Sequence, residues 1–255
     1  MIRASVARHV GWVEFDRPPV NAFTREMVDR THDAIAACLA DPDVRVLVLA
    51  SAVTGYFSAG ADLHAFRGMK GDGMRAWALR CHDIVRLLRH SPKPLLAAIH
   101  GTAVGGGLEM TLHCDQRFAA ADAQLGQPEI KLGFIPPIAT TQALARLIGR
   151  PRAIRYLYDG GLVPAAEALQ WGLVDELVEP AGLRARVQAY GEELAAKSPE
   201  ALAAIRRTVT LGGGMTFEEG LAYELEAVAG LADGADFAEG VEAFLAKRPP
   251  VWRRS

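Results

Sequence analysis

The chain has 255 residues, half of them apolar, which is enough to bury the core of one large domain or of one domain with a small appendage. Its formal net charge is −2 and neither sign is gathered into a block, so electrostatic capture of nucleic acid or of an anionic membrane is not expected. The apolar runs are shorter than the roughly 18 residues of a membrane span, and three widely spaced cysteines, Cys38, Cys81 and Cys114, indicate the reduced thiols of a cytoplasmic protein.

Residues 1 to about 135 alternate short apolar runs with helical stretches. The pattern predicts helices over 23–39 and 74–89, and the prolines of the segment 91–94 end the second one. Strands are predicted around these helices, at 10–15, 44–50, 94–99 and 117–120. Strands separated by helices favour an α/β arrangement with parallel pairing.

After about residue 140 the sequence indicates helices alone. They are predicted at 143–148, 151–157, 164–171, 183–197, 198–209, 217–231 and 237–247. We therefore expect an α/β core over residues 1–195 and a helical C-terminal region over residues 196–255, of the kind that covers a neighbouring subunit or closes over a ligand. The pair Arg206-Arg207 in that region is interpreted as solvated surface.

Two glycine-marked turns, each between an apolar strand and a helix, indicate an anion site. The first is Gly-Ala-Asp at 60–62, within the segment 57–63, and the second is Gly-Gly-Gly at 105–107. The first amides of a helix have no intrahelical partner and suit a developing negative charge. Two such amides on one carbonyl oxygen would form an oxyanion hole. The alternative, that these glycines only serve tight turns and packing, stays open at this point.

Two glutamates twenty residues apart are the candidate acid and base. Glu109 follows the second glycine run in the first turn of a predicted helix with apolar surroundings, and Glu129 follows Pro128 on irregular backbone. Each glutamate alone is more simply a surface or capping residue. The pair favours catalysis, because addition of water to a double bond needs one group to activate the water and one to deliver a proton.

Other chemistries fit the sequence less well. Asp62 is interpreted as a capping or loop residue, and Ser58 lacks the Gly-x-Ser-x-Gly setting of a nucleophile. The run His-Cys-Asp at 113–115 lacks metal-ligand spacing, and the glycine fingerprints of nucleotide sites are missing. We therefore expect no metal and no cofactor.

Taken together, these motifs resemble the enoyl-CoA hydratase/isomerase (crotonase) superfamily. The resemblance spans nearly the whole chain, from 17–22 to 244–248, and is most specific over 57–63, 100–115 and 124–136. It implies a spiral of ββα units with a helical C-terminal trimerisation region, assembled as a homotrimer or a dimer of trimers. It also implies an acyl-CoA thioester as the substrate, of which coenzyme A is a part.

The resemblance assigns roles by position. The amides of Ala61 and Gly106 would hold the thioester oxygen, Glu129 would protonate the α-carbon, and Glu109 would orient and activate the water. The expected substrate and CoA contacts are Asn21, Ala22, Ala59, Gly60, Asp62, His64, Pro137 and Lys247, with Lys247 meeting a CoA phosphate from this subunit or a neighbour. Two glutamates together favour hydration of a 2-enoyl-CoA to a 3-hydroxyacyl-CoA.

One segment departs from the family's pattern. Where typical hydratases read Ile-Pro-Gly-x-Gly-Gly-Thr, this chain reads Ile-Pro-Pro-Ile-Ala-Thr-Thr over 135–141. Pro137 has no N–H to offer to water or substrate, and Ile138 and Thr140 are expected to add bulk beside the acyl site. This change leaves open neutral repacking, a narrower pocket or a different substrate, such as a cyclic dienoyl-CoA. Separately, an isomerase or an acyl-CoA hydrolase on the same scaffold and a non-catalytic binder of CoA esters stay open as alternatives.

Overall fold

The computed structural model describes residues 1–253, so the last two residues of the region 196–255 lie outside it. The strands are β1 Ile2–Ala7, β2 Val10–Phe15, β3 Val46–Ser51, β4 Tyr56–Ser58, β5 Leu95–Ile99, β6 Thr102–Val104, β7 Gln116–Ala120, β8 Gln124–Gly126, β9 Leu162–Pro164 and β10 Glu176–Val178. The α-helices are α1 Arg25–Ala40, α2 Gly71–His90, α3 Gly106–Thr111, α4 Thr140–Ile148, α5 Arg150–Asp159, α6 Ala165–Trp171, α7 Leu183–Ala195, α8 Pro199–Gly212, α9 Phe217–Ala232 and α10 Ala235–Leu245. Short 3-10 helices cover Leu63–Phe66, Pro128–Leu132 and Pro180–Gly182.

The larger sheet holds the core. Its strand order is β1-β2-β3-β5-β7-β10, in which β1 pairs antiparallel with β2 and the later neighbours pair in parallel. Strands β3 and β5 are buried along their whole length, as parallel strands are when both faces of the sheet are covered. Helix α7 packs across β2, β3, β5 and β7, while α1 and α2 pack against each other.

The smaller sheet positions the candidate site. Its order is β4-β6-β8-β9, and β4, β6 and β8 run parallel to one another. Each of these three strands follows directly on a strand of the larger sheet. The repeating structural unit is therefore one strand of the larger sheet, one strand of the smaller sheet and then a helix. Parallel neighbours end at the same edge of a sheet, where α/β proteins commonly bind ligands. The turns after Ser58, Val104 and Gly126 therefore come together.

The predicted α/β class with repeated ββα units and a helical C-terminal region is confirmed. The strands predicted from the sequence correspond to β2, β3, β5 and β7, and the predicted helices are present with shifted ends. The sequence did not predict β1 or the five strands of three residues, β4, β6, β8, β9 and β10. A strand of three residues is too short to show an alternating pattern.

Arg206 on α8 contradicts the prediction of a solvated surface. Its side chain is buried, and Nε donates to Asp115 at 2.8 Å while the other two nitrogens donate to the carbonyls of Leu88 and Ser91 at 2.7 Å each. These carbonyls lie at the C-terminal end of α2, where a cation is favoured by the helix dipole. Its neighbour Arg207 is exposed, as predicted.

The cysteines of the chain are free and buried, which agrees with the interpretation of reduced thiols. Among the helices that residues 1–253 form, none combines the length and the apolar character needed to cross a membrane.

Candidate active site

A cavity of about 910 Å³ opens where the turns after β4, β6 and β8 meet. Both candidate glutamates and both glycine turns lie on its wall, and most of the other lining residues are apolar. Trp77, Cys81 and Ile84 of α2 line it although they are buried, so the cavity extends into the core. Arg67 and Lys70 line its exposed part. An apolar pocket with a few converging polar groups is typical of a small-molecule site.

The two glycine turns abut at the mouth of this cavity. A Cβ atom added to Gly60 would lie 3.5 Å from Gly105 Cα and 3.8 Å from Gly106 N. Gly106 is the first residue of α3, so its N–H has no intrahelical acceptor. Within residues 1–253 neither the amide of Ala61 nor that of Gly106 donates a hydrogen bond to another protein group. The arrangement can therefore bind a carbonyl oxygen that gains negative charge.

Ser58 and Asn21 hold the first turn in place. Ser58 Oγ accepts from Gly60 N at 3.0 Å and donates to Asn21 O at 2.9 Å. The side-chain amide of Asn21 donates to Ser51 Oγ at 2.8 Å and to Phe57 O at 3.0 Å. The hydroxyl of Ser58 is thus used for support, in agreement with the prediction that it is not a nucleophile.

Glu129 lies in the 3-10 helix after β8, and its carboxyl reaches the second glycine turn. Gly105 has a φ of 53°, which requires glycine, and a Cβ atom there would lie 2.9 Å from Glu129 Oε1 and displace that carboxyl. Burial raises the pKa of Glu129, and within the described part of the chain Oε2 is buried without a hydrogen-bond partner. A desolvated carboxyl retains its proton to higher pH and can deliver it to a substrate.

Glu109 faces the same cavity from the first turn of α3 and is 1% exposed. Its Oε2 accepts from Ile138 N at 2.8 Å and from Thr140 Oγ1 at 2.7 Å. Burial, helped by the charge of Glu129, raises the pKa of Glu109 to about 8 despite these two hydrogen bonds. The expected bulk beside the acyl site is found for Ile138, which lines the cavity, but is wrong for Thr140, which is buried behind Glu109.

Two imidazoles hold the segment 137–140 that supplies these donors. His82 Nε2 lies 2.9 Å from Pro137 O, and His113 Nε2 lies 3.3 Å from Ile138 O. Burial lowers the pKa of His113 to about 4, so its ring is neutral at physiological pH and its Nε2 carries the proton that Ile138 O accepts. The segment is therefore anchored by its carbonyl groups as well as by its contacts with Glu109.

The structure brings part of the predicted site together. Ala59, Gly60 and Pro137 line the cavity with the two glutamates and the two candidate oxyanion residues. Five predicted contacts do not line it in the described chain: Asn21, Ala22, Asp62, His64 and Lys247.

Asn21 and Asp62 are used in hydrogen bonds within the protein. The side chain of Asn21 is used internally, as described above, and Asp62 caps the 3-10 helix by accepting from His64 N at 3.2 Å. Arg17 also donates to Asp62 at 3.1 Å, so the structural interpretation of Asp62 agrees with the geometry. Lys247 is exposed beyond the end of α10, and its contact with CoA stays a prediction.

Most of the apolar wall, together with Thr140 and the two histidines, was not predicted from the sequence. The apolar lining residues include Phe23, Val28, Phe66, Met69, Met74, Trp77, Met110, Leu132 and Phe134. A signal was present for α2, because Trp77, Cys81 and Ile84 recur at helical spacing. Across the 253 residues that the structure describes, His, Cys, Asp and Glu side chains form no group of three or more that could hold a metal.

Known proteins match this chain along almost all of its length. The family model for enoyl-CoA hydratase/isomerase matches residues 5–255. A probable enoyl-CoA hydratase of Bacillus subtilis is 33% identical over 254 residues, which cover 99% of this chain and 98% of that protein. The (E)-benzylidenesuccinyl-CoA hydratase of Thauera aromatica is 35% identical over 255 residues, which cover 99% of this chain and 98% of that protein. The crystal structure of an enoyl-CoA hydratase from Bacillus anthracis superposes with a TM-score of 0.94 at 31% identity and covers 100% of this chain and 99% of that one.

Proposed function

The chain belongs to the enoyl-CoA hydratase/isomerase family, and within it we propose that the protein hydrates a 2-enoyl-CoA thioester to the 3-hydroxyacyl-CoA. The observation that carries this proposal is that two carboxyl groups with raised pKa values share one cavity with two backbone amides that have no acceptor among residues 1–253. Relatives named as hydratases, at 33% and 35% identity over nearly the whole chain, support it.

We assign the steps to named atoms. The thioester oxygen accepts hydrogen bonds from the amides of Ala61 and Gly106, which stabilise the negative charge that develops when the β-carbon is attacked. Glu109 acts in its ionised form, whose share grows as the pH rises toward its pKa of about 8, and takes a proton from water as the water oxygen bonds to the β-carbon. Glu129, protonated, gives its proton to the α-carbon as the enolate collapses. Exchange with solvent then returns a proton to Glu129 and removes one from Glu109, so water adds across the double bond without any other reactant.

The cavity wall indicates an apolar acyl group. Trp77, Ile84 and Met110 line the cavity and are buried, whereas the cations on its wall, Arg67 and Lys70, are exposed. We expect the acyl chain to extend toward the buried residues, because burial of apolar surface favours binding by about 25 cal/mol per Å². The phosphates of CoA are expected near the two cations. An aryl or medium-length enoyl group fits this wall better than one that ends in a carboxylate, which would be buried without a partner.

Turnover of a small panel of CoA thioesters tests this function. The panel contains crotonyl, medium-chain, cinnamoyl and cyclic dienoyl thioesters, and the readouts are loss of the conjugated absorbance and the mass of the product. Hydration adds one water to the mass, isomerisation leaves it unchanged, and hydrolysis releases a CoA thiol. Binding without any change in these thioesters would replace the proposal with that of a non-catalytic CoA-ester binder.

We further propose that residues 1–195 form the catalytic core and that 196–255 mediate assembly into a homotrimer or a dimer of trimers. Phe217, Leu225, Phe244 and Leu245 on α9 and α10 are between 66% and 84% exposed. Apolar patches of this kind mark protein interfaces, and a second copy of the same chain is the partner that closed symmetry favours. Light scattering after gel filtration tests this, since the expected mass is three or six times 27.4 kDa. A monomer would contradict it.

A further inference from the structure

Among the residues that the structure describes, hydrogen bonds hold Glu109 through one of its two carboxyl oxygens. Oε2 accepts two hydrogen bonds, from Ile138 N and from Thr140 Oγ1. Oε1 accepts none from the residues that the structure describes, although the carboxyl lies on the cavity wall. A carboxylate oxygen has two lone pairs in its plane, so the two donors fill Oε2. A proton taken from water must therefore go to Oε1.

Thr140 is placed to make this contact and no other. Its side chain is fully buried, it is the first residue of α4, and its hydroxyl has Glu109 as its only hydrogen-bond partner in the described chain. Ala139 before it has a φ of 58°, an uncommon conformation for a residue with a Cβ atom. The β-branched side chain of threonine has few rotamers, so the hydroxyl is fixed once the helix begins.

We propose that Thr140 is the positioning residue of Glu109, and that its hydroxyl, together with the Ile138 amide, directs Oε1 of Glu109 toward the attacking water. The proposal rests on the hydration function proposed above, in which Glu109 activates that water. It also gives a role to the unusual segment after Pro137, whose polar groups are directed at Glu109 and at two imidazoles instead of at the substrate.

The titratable groups around Glu109 determine how its ionisation appears in a pH profile of activity. Glu129 faces it across the cavity and opposes its ionisation, while burial raises the pKa of Cys81 on α2 to about 12. His82 and His113 contact the carbonyls of 137 and 138, and burial lowers the pKa of His113 to about 4. The Thr140 hydroxyl favours the ionised form of Glu109. Loss of this hydroxyl therefore moves the ionisation of Glu109 to higher pH.

Three substitutions separate the effect of the Thr140 hydroxyl from the effect of side-chain packing. Thr140→Val removes the hydroxyl at nearly constant shape, Thr140→Ser keeps it and removes the methyl group, and Thr141→Val is the matched control at the next position. For Thr140→Val we expect kcat at neutral pH to fall about 10- to 100-fold with KM changed less than about threefold, because a hydrogen bond to a charged group is lost. The acid limb of its pH profile should move up by about one unit. Thr140→Ser should recover most of kcat, and Thr141→Val should match the wild type.

A second measurement does not depend on turnover. The pKa of the Glu109 carboxyl is followed by NMR in substrate-free protein labelled with ¹³C at the glutamate carboxyl, with Glu109→Gln to assign the signal. An upward shift in Thr140→Val but not in Thr141→Val supports the contact. If folded Thr140→Val keeps both the wild-type pKa of Glu109 and the wild-type pH profile, the proposal is overturned. An equal loss of kcat in Thr140→Val and Thr140→Ser also overturns it. If the wild type hydrates no thioester of the panel, the hydration function fails, while the NMR titration still decides whether Thr140 controls Glu109.

Discussion

The carboxyl groups of Glu109 and Glu129 enter one cavity from two neighbouring turns, and the charge of Glu129 opposes the ionisation of Glu109. Their environments differ: Oε2 of Glu109 accepts two hydrogen bonds, whereas Oε2 of Glu129 is buried and accepts none from the residues that the structure describes. The two hydrogen bonds favour the ionised form of Glu109, but burial and the charge of Glu129 still raise its pKa to about 8. The base role proposed for Glu109 therefore belongs to its ionised form, whose share grows as the pH rises toward 8.

Glu109→Gln and Glu129→Gln are each expected to lower kcat by about 10²–10⁴, because each removes one proton-transfer group at nearly constant shape. Steady-state kinetics with whichever enoyl-CoA the wild type hydrates best provides the measurement. Glu167→Gln, an exposed residue on α6 that does not line the cavity, is the matched control and should keep wild-type kcat. A Gln variant with full activity would remove that glutamate from the mechanism.

Glu109 should make the protein less stable as the pH rises. Burial and Glu129 raise its folded pKa to about 8 from the usual 4.5, so the folded protein holds this proton more tightly than the unfolded chain does. The stabilisation is complete below pH 4.5 and is lost as the pH rises through about 8. Glu109→Gln does not titrate, and its free energy of unfolding relative to wild type should rise across this window by at least about 1.4 kcal/mol, the equivalent of one pKa unit.

Denaturant unfolding of both proteins from pH 5 to pH 9 measures this difference. Asp115 also has a raised pKa, but to first order its effect cancels between two proteins that differ only at residue 109. The charge of Glu129 acts on Glu109, so the measured difference belongs to this coupled pair. A difference in stability that does not change with pH would show that Glu109 keeps an ordinary pKa in the folded protein.

The sequence predicted the parts of this site that depend on local pattern. The glycine turns and the two glutamates stand out because glycine and a carboxylate next to apolar strands are unusual. Their meeting in space was implied by the family resemblance and not by spacing, since β4, β6 and β8 have only three residues each and show no periodicity. Without these strands, nothing in the sequence places 60–62, 105–109 and 129 at one edge.

Long-range polar contacts were the other limit on prediction. Thr140 and Arg206 are separated from their partners by 31 and 91 residues, and neither side chain differs locally from a solvated one. Tertiary structure, and not sequence pattern, decides that both are buried. For the same reason, two predictions were wrong: Thr140 does not add bulk beside the acyl site, and Arg206 is not on a solvated surface.

The Gly106 amide can be removed by proline, whose ring Cδ replaces the amide hydrogen. Gly106 is the first residue of α3, a position that tolerates proline because its N–H has no helical acceptor. Gly106→Ala is the matched control, since it adds the same Cβ atom, which meets the end of the flexible Ile138 side chain at 3.1 Å, and keeps the N–H. We expect kcat of Gly106→Pro to lie about 10²–10³ below that of Gly106→Ala. Equal kcat values in the two variants would exclude this amide from the oxyanion hole.

Arg206 and its neighbour Arg207 form a matched pair for stability. Arg206→Met removes the cation from the half-buried carboxylate of Asp115, which keeps its hydrogen bond from Leu95 N, and removes the donor from the carbonyls of Leu88 and Ser91. Loss of one partner of a buried ion pair costs about 3–5 kcal/mol, and the partial exposure of Asp115 places the expected loss near the lower end, at about 3 kcal/mol. Arg207→Met should change stability by less than about 0.5 kcal/mol, because Arg207 is exposed. Urea unfolding at one fixed protein concentration measures both, so that any subunit association contributes equally. Similar midpoints for the two variants would mean that Arg206 does not anchor α8 to the end of α2, and that the apolar contacts of α8 hold it there instead.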